Sequence, residues 1–513
     1  MQGVLLGNAV NPITHGQPSR WASALQGLLL VLPWVQPWAS SPLPNVVPLL
    51  ITWACVGLLM VSRSALRPVD IAQAWAIAAL ISSAMGVLQY FGWADGLSPW
   101  LHAPNVLGEA QANLRQRNQL ATLTAMGIVA VLWWARHGLS RPHALWMLAL
   151  IAIGNAATNS RTGLLHMLLV SALLIGWSRQ SRHGEPSLSR RLAIWAMGIY
   201  LLALWALPQS LSMNSGADAV SALVRLGHDD GCGSRKVLWR NVMELIAQKP
   251  WGGWGWDELK YAHYSANYDG ARFCDILGNA HNGPLQLAFA LGIPAAAVLM
   301  LALIWVIARM RPWRSRQTQY QLAWAVLAAI GLHSLLEFPL WYGPFQMAVL
   351  LCIVLLTPAK HLGAKWTAQL LPYMGIAILA TVAFIAVDYS RVRQVFIPAS
   401  QRSSLWSGEA LEVSKSSVVF PATARFAEFS ITPVTPENAA YMLQTGLRLL
   451  HYSPEPKVIR KVIEAAQMVG DFETALHHQA LLETAFPASS GHLTPPPQSS
   501  PISPHAFPTG SHR

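Results

Sequence analysis

One histidine and a few arginines carry most of the chemistry open to this sequence. His281 lies in Cys274-Asp275-Ile276-Leu277-Gly278-Asn279-Ala280-His281-Asn282, where a polar stretch beginning near Pro208 gives way to an apolar run. An imidazole titrates near neutral pH without special tuning, so it can take a proton from an attacking hydroxyl. Arg117, next to Asn118, and Arg161, within Ser160-Arg161-Thr162, each offer a permanently charged planar fork that matches phosphate oxygens. Plainer roles stand beside these. His281 can cap the following helix together with Asn282, and an arginine at the end of an apolar span can reach out to lipid headgroups. Gln286 follows Asn282 by four residues, about one helical turn, and can hydrogen-bond His281 or a ligand. His333 and Glu337 are also spaced by four, within or at the end of another apolar run, where ionisable groups are costly and mark either function or a packing pair.

Apolar helices must position these groups. Of 513 residues, 53% are hydrophobic and 11% charged, which excludes an ordinary soluble globule. Hydropathy predicts an all-α polytopic membrane protein with about eleven transmembrane helices. They fall near Trp21–Trp38, Leu43–Val61, Val69–Trp93, Asn118–Ala135, Ala144–Ala157, Gly163–Trp177, Leu192–Leu207, Gly283–Ala308, Gln321–Phe338, Pro344–Leu356 and Leu370–Val387. The first twenty residues lack a signal-peptide pattern, so the first span is expected to stay as an anchor. Arg63 and Arg67, Arg136 and Arg141, Arg179 to Arg191, Arg309 to Arg316, and Lys360 with Lys365 fall in every second loop. That bias predicts a cytoplasmic amino terminus, with the loop of about 208–282 and everything after Asp388 on the outer side. The same loops hold much of the net charge of +12, so nucleic acid is not an expected partner.

The chain divides into a membrane domain over 1–388, a small α-helical C-terminal periplasmic region over 389–490, and a proline-rich tail over 491–513 expected to be disordered. Within the C-terminal region, segments at Glu437–His451, Pro456–Val469 and Phe472–Phe486 have helical spacing. The last two are joined at Gly470-Asp471 and resemble a tetratricopeptide hairpin, which fits either a helical cap or a docking surface. Cys232 and Cys274 share the large loop; a disulfide in an oxidising compartment and a pair of buried thiols both fit. No cluster of histidines and carboxylates has metal-ligand spacing.

Five segments occur in an order that resembles a known family: Gln116-Arg117-Asn118-Gln119-Leu120-Ala121, Ser160-Arg161-Thr162, Trp251-Gly252-Gly253-Trp254-Gly255-Trp256, Ala280-His281-Asn282 with Gln286, and His333-Ser334-Leu335-Leu336-Glu337-Phe338-Pro339-Leu340-Trp341-Tyr342. Together they are similar to bacterial pilin-type O-oligosaccharyltransferases of the O-antigen ligase and polymerase superfamily. The resemblance implies a bacterial inner-membrane enzyme that moves a preassembled glycan from undecaprenyl pyrophosphate to a hydroxyl of a periplasmic, pilin-like protein, with no metal or other cofactor. It implies His281 as the base or acceptor-orienting group and adds Arg235 to Arg117 and Arg161 as ligands of the pyrophosphate. Asn282, Gln286, His333 and Glu337 become candidates for orienting substrate. An O-antigen ligase or polysaccharide polymerase, with a lipid A-core or glycan acceptor, is the near alternative. A transporter is the distant one.

Overall fold

The computed structural model describes residues 20–62, 66–104, 106–180, 188–215, 231–358, 365–406 and 408–487. The first nineteen residues, the tail from Gly491, and the loop basic residues Arg63, Arg182 and Lys360 lie outside the described residues. Among those described, helices are the only regular elements. In the apolar region these are α1 (Arg20–Val35), α2 (Val46–Val61), α3 (Pro68–Tyr90), α4 (Arg117–Arg136), α5 (Arg141–Ala157), α6 (Arg161–Gln180) and α7 (Arg190–Ser215). After the large loop come α10 (Gly283–Leu291), α11 (Ile293–Met310), α12 (Thr318–Ser334), α13 (Gly343–Leu356) and α14 (Lys365–Arg393). Among the described residues, six helices, α3, α4, α6, α7, α11 and α14, are long and apolar enough to cross a membrane, while α1, α2 and α13 are shorter apolar helices.

The chain forms two compact units. The first takes residues 1–228 and 305–387. Its centre is a close bundle of α3, α4 and α5, and α4 is buried along most of its length. Small residues permit the approach: a Cβ at Gly127 would run into Ala79, and one at Gly154 into Ser83. Apolar helices gain nothing from leaving lipid for one another, so close backbone packing of this kind is what holds them together. Trp34 and Phe345 meet edge to face at 5.2 Å and link α1 to α13.

The second unit takes residues 229–304 and 388–513. The loop contributes α8 (Arg235–Gln248) and α9 (Leu259–Ser265). The C-terminal region contributes α15 (Ala410–Lys415), α16 (Pro421–Ile431), α17 (Ala439–Tyr452), α18 (Pro456–Val469) and α19 (Phe472–Ala485). The last three match the helical segments read from the sequence; α15 and α16 precede them, in a stretch of polar residues and scattered charges whose spacing marks no helix. Their signal was weak because both are short, α15 with six residues and α16 with eleven, and the buried positions of α16 include the small or polar Thr423, Ala424 and Ala427 beside Phe429. Fully buried Asp388 organises this connection, its carboxylate accepting from the Val418 and Val419 amides and from the Ser417 hydroxyl.

Loop and C-terminal region share a core in which Tyr264 of α9 packs with Phe429, Met442, Leu449 and Val462. Polar contacts reinforce it. Glu258 pairs with His451 at 2.7 Å, Lys260 donates to the Tyr452 carbonyl, and the Tyr264 hydroxyl meets Nδ1 of His478. Burial pushes the His478 imidazole down to about 4, assisted by neighbouring His477. Burial also pushes His263 down to about 3, with the Arg272 charge adding to the effect. Both rings stay neutral when folded but gain a proton near pH 6.5 when unfolded, so the unfolded chain binds more protons below that pH. Stability is therefore complete above about pH 6.5 and falls as the pH drops toward 4. The melting temperature of the purified protein should be lower at pH 5 than at pH 7.5, and His478→Gln should flatten that difference.

One expected span is divided. The apolar run Gly283–Ala308 is two helices, α10 and α11, broken at Gly292 with φ +84°. The cause lies in the Trp251–Gly255 turn. Trp254 and Gly255 donate their amides to the Phe289 and Ala290 carbonyls, and Ile293 donates to Pro250. These bonds take over the last carbonyls of α10, which an uninterrupted helix would use itself. A Cβ on residue 292 would strike the Trp251 backbone, so only glycine fits.

Candidate active site

In the first unit, polar groups gather where α4 and α6 begin and α12 ends. Buried Gln89 of α3 prepares the place by holding the connection between α3 and α4. Its amide donates to the His102 and Ala112 carbonyls, and its carbonyl accepts from the Gln111 and Ala112 amides. Asn113 ties the same connection to Val35 and Trp100. Gln116 then caps α4 by accepting from the Gln119 amide at 2.7 Å, which fixes Arg117 and Asn118 at the helix start.

Asn118 is the hub of the cluster. Its carbonyl oxygen accepts from the Ser160 hydroxyl at 2.6 Å, and its amide donates to Glu337 at 3.2 Å. Arg117 and Arg161 are therefore chain neighbours of two directly bonded residues, although they are far apart in sequence. Arg117 also meets Glu109 at 2.7 Å. Arg161, the first residue of α6, is half-buried. The opening turns of α4 and α6 present backbone N–H groups in addition to these charges, an arrangement suited to an anion.

His333 lies deeper. The Thr122 hydroxyl lies 2.8 Å both from the Asn118 backbone carbonyl and from Nδ1 of His333, and so ties the imidazole to the first turn of α4. The ring is buried, edge-on to His166 at 6.4 Å, and with Gln116, Gln119, Glu337, Phe338, Pro339 and Tyr342 it lines a small cavity. Glu337 falls beyond the end of α12, in the turn before Pro339.

In the second unit, His281 precedes α10 and holds a left-handed backbone, φ +49°. Its amide donates to the Asn279 side chain, and Asn282 is the cap, accepting from the Leu285 amide at 3.0 Å. The preceding peptide is gripped on both sides. Trp239 of α8 donates its indole N–H to the Ala280 carbonyl at 3.1 Å, and the buried Gln286 accepts the Ala280 amide at 2.8 Å. Asn241 holds the same strip further back through Ala271 and Phe273, and Cys232 is bonded to Cys274 with Cα atoms 5.4 Å apart. Arg235 opens α8 just after the Ser234 cap, while the more exposed Arg240 donates to the Ala271 carbonyl. Gln286→Leu should leave a buried amide without its acceptor and cost about 1–3 kcal/mol, read as a lower melting temperature.

The sequence reading overlooked Gln89, Glu109, Asn113, Thr122 and Asn279. An amide in the apolar run of α3 was a usable signal for Gln89, since such a group must find partners. Trp239, Val242 and Ile246 form one apolar face of an amphipathic stretch in the sequence, which fits a helix laid on a membrane surface. In the structure this face packs into the core of the second unit, and the bond from Trp239 to Ala280 depends on α8 folding beside residue 280.

Three family descriptions match consecutive parts of the chain. Residues 110–135 match a protein glycosylation ligase family, 146–300 an O-antigen ligase family, and 321–498 the C-terminal part of a virulence-factor membrane-bound polymerase family. The first covers Arg117 and Asn118, the second Arg161, Arg235 and His281, and the third His333 and Glu337. A general O-oligosaccharyltransferase of Acinetobacter baylyi is 25% identical over 288 residues, covering 53% of this chain and 47% of the relative. The chain thus spans about half the length of the curated relative it matches. With the segment order already noted, these matches make the chain a protein that resembles bacterial O-oligosaccharyltransferases of the O-antigen ligase and polymerase superfamily.

Proposed function

We propose that this chain is a protein O-oligosaccharyltransferase of the bacterial inner membrane. It moves a preassembled glycan from undecaprenyl pyrophosphate to serine or threonine hydroxyls of periplasmic proteins of pilin type. The observation that carries the reading is the Asn118 hub: Asn118 lies in the segment that matches a protein glycosylation ligase family, and its bond to Ser160 links the start of α4 to the start of α6, each bearing an arginine. The amino terminus is cytoplasmic, and His281, Arg117, Arg161, Arg235 and the region after Asp388 face the periplasm, where ATP is absent and a donor must arrive already activated.

The reaction is a single displacement with inversion. The acceptor oxygen forms a bond to the anomeric carbon of the reducing-end sugar while the bond from that carbon to the pyrophosphate oxygen breaks. His281 takes the hydroxyl proton, and undecaprenyl pyrophosphate leaves with the bonding pair. Arg117, Arg161 and Arg235 balance the charge that grows on it. Asn282, Gln286, His333 and Glu337 support orientation, Gln286 through the Ala280 amide and His333 through Thr122.

The O-antigen ligase or polymerase reading has an observation of its own, since the family segments of that kind are much the longer ones. Deleting the gene in its host separates the two. Loss of the glycan from pilin-like proteins with an intact lipopolysaccharide ladder supports the protein acceptor, and loss of the ladder alone overturns it.

A further inference from the structure

A cavity of about 620 Å³ lies at the opposite end of α4 from the Asn118 hub. Arg117 opens that helix and Arg136 closes it, and at 20 residues it spans about 30 Å. Three arginines from three helices converge on the cavity: Arg136 at the end of α4, Arg141 at the start of α5 and Arg191 in the first turn of α7. Among the described residues, none of those that line it is a carboxylate. Leu132, Leu139, Leu145 and Leu192 supply an apolar part of its lining, and Trp195 joins them with its indole N–H bound to the Leu145 carbonyl.

We infer that this cavity binds a phospholipid with an anionic headgroup, the phosphate held by Arg136, Arg141 and Arg191 and the acyl chains against the leucines and Trp195. The positive-inside rule accounts for basic residues in this loop region, but it requires neither that they meet around one cavity nor that the cavity be greasy beneath them. Guanidinium forks suit a phosphate, the first turns of α5 and α7 add backbone N–H groups directed to the same end, and a half-exposed tryptophan is at home at headgroup level. The volume is within the range that accommodates a small organic ligand, enough for a headgroup and the upper part of its chains. The site is separate from the proposed reaction and does not depend on it.

Native mass spectrometry of the detergent-purified protein tests this with phosphatidylglycerol and phosphatidylcholine as probes. Wild type should retain phosphatidylglycerol selectively, and the triple variant R136Q/R141Q/R191Q should lose that affinity by roughly a hundredfold, at about one factor of five per arginine. A charge-matched control, R309Q/R311Q/R314Q, should keep it, since those arginines do not line the cavity. Should the triple variant not fold, Ala135→Trp removes the space and leaves every charge, and it should lower retention as well. Equal retention of phosphatidylcholine by wild type, or undiminished phosphatidylglycerol binding in the variant that folds, overturns the proposal. Displacement of the lipid by millimolar inorganic phosphate also overturns it, as that identifies a site for soluble phosphate.

Discussion

His281→Ala should reduce glycan transfer by roughly 10²–10⁴-fold, the loss that follows removal of a positioned proton acceptor. The change is expected to leave the fold intact. The local geometry is held by the His281 backbone amide on Asn279, the Asn282 cap and the grip on the Ala280 peptide, none of which uses the imidazole. The left-handed backbone is already occupied by a residue with a Cβ, so alanine meets no new steric demand there. Transfer would be measured with purified enzyme, lipid-linked oligosaccharide and acceptor protein, beside a melting curve for each variant. Full transfer by His281→Ala at normal stability would remove the residue as the base.

Removing the bridge between Cys232 and Cys274 should have the largest effect on stability. The cysteines are 42 residues apart in sequence, and closing a loop of that length in the unfolded chain stabilises the folded one by up to about 4 kcal/mol. Cys232→Ser and Cys274→Ser should therefore each lower the melting temperature, and the double variant should resemble either single one, because all three lose the same bond. Activity should fall further than stability accounts for. The bridge stands just ahead of both Arg235 and His281, and its loss removes a covalent tie beside the hydrogen bonds of Trp239, Asn241, Asn279 and Gln286 that align them. Reductant should lower the melting temperature of wild type toward that of the variants; equal melting temperatures for wild type and variants under oxidising conditions would refute the stabilising role.

Much of this arrangement is written in local sequence. The apolar runs mark the helices because a chain in lipid must satisfy its backbone internally, and Val458, Val462, Ala465 and Ala466 mark α18 because their spacing builds one buried face. Arg117, Arg161 and His281 are visible as polar groups at the ends of apolar runs. Their partners are not. Ser160 reaches Asn118 and Asn118 reaches Glu337 only after distant helices pack, and no local periodicity encodes such pairings. The break at Gly292 was hidden for the same reason. Hydropathy registers a continuous apolar run, while the hydrogen bonds that divide it come from Pro250 to Gly255, far back along the chain.

That break also governs how the gene can vary in length. His281 is anchored at the start of α10 and Gly292 at its end, each against a different part of the preceding loop. One residue inserted between them would turn everything beyond it by about 100° around the helix axis, setting a side chain against the Trp251 backbone or carrying the histidine out of its frame. Away from His281, Gln286 and Gly292, substitutions can be absorbed along this stretch, but its residue count cannot change. In a library of single-codon insertions and deletions, the interval from His281 to Gly292 should stand out as a run with no survivors.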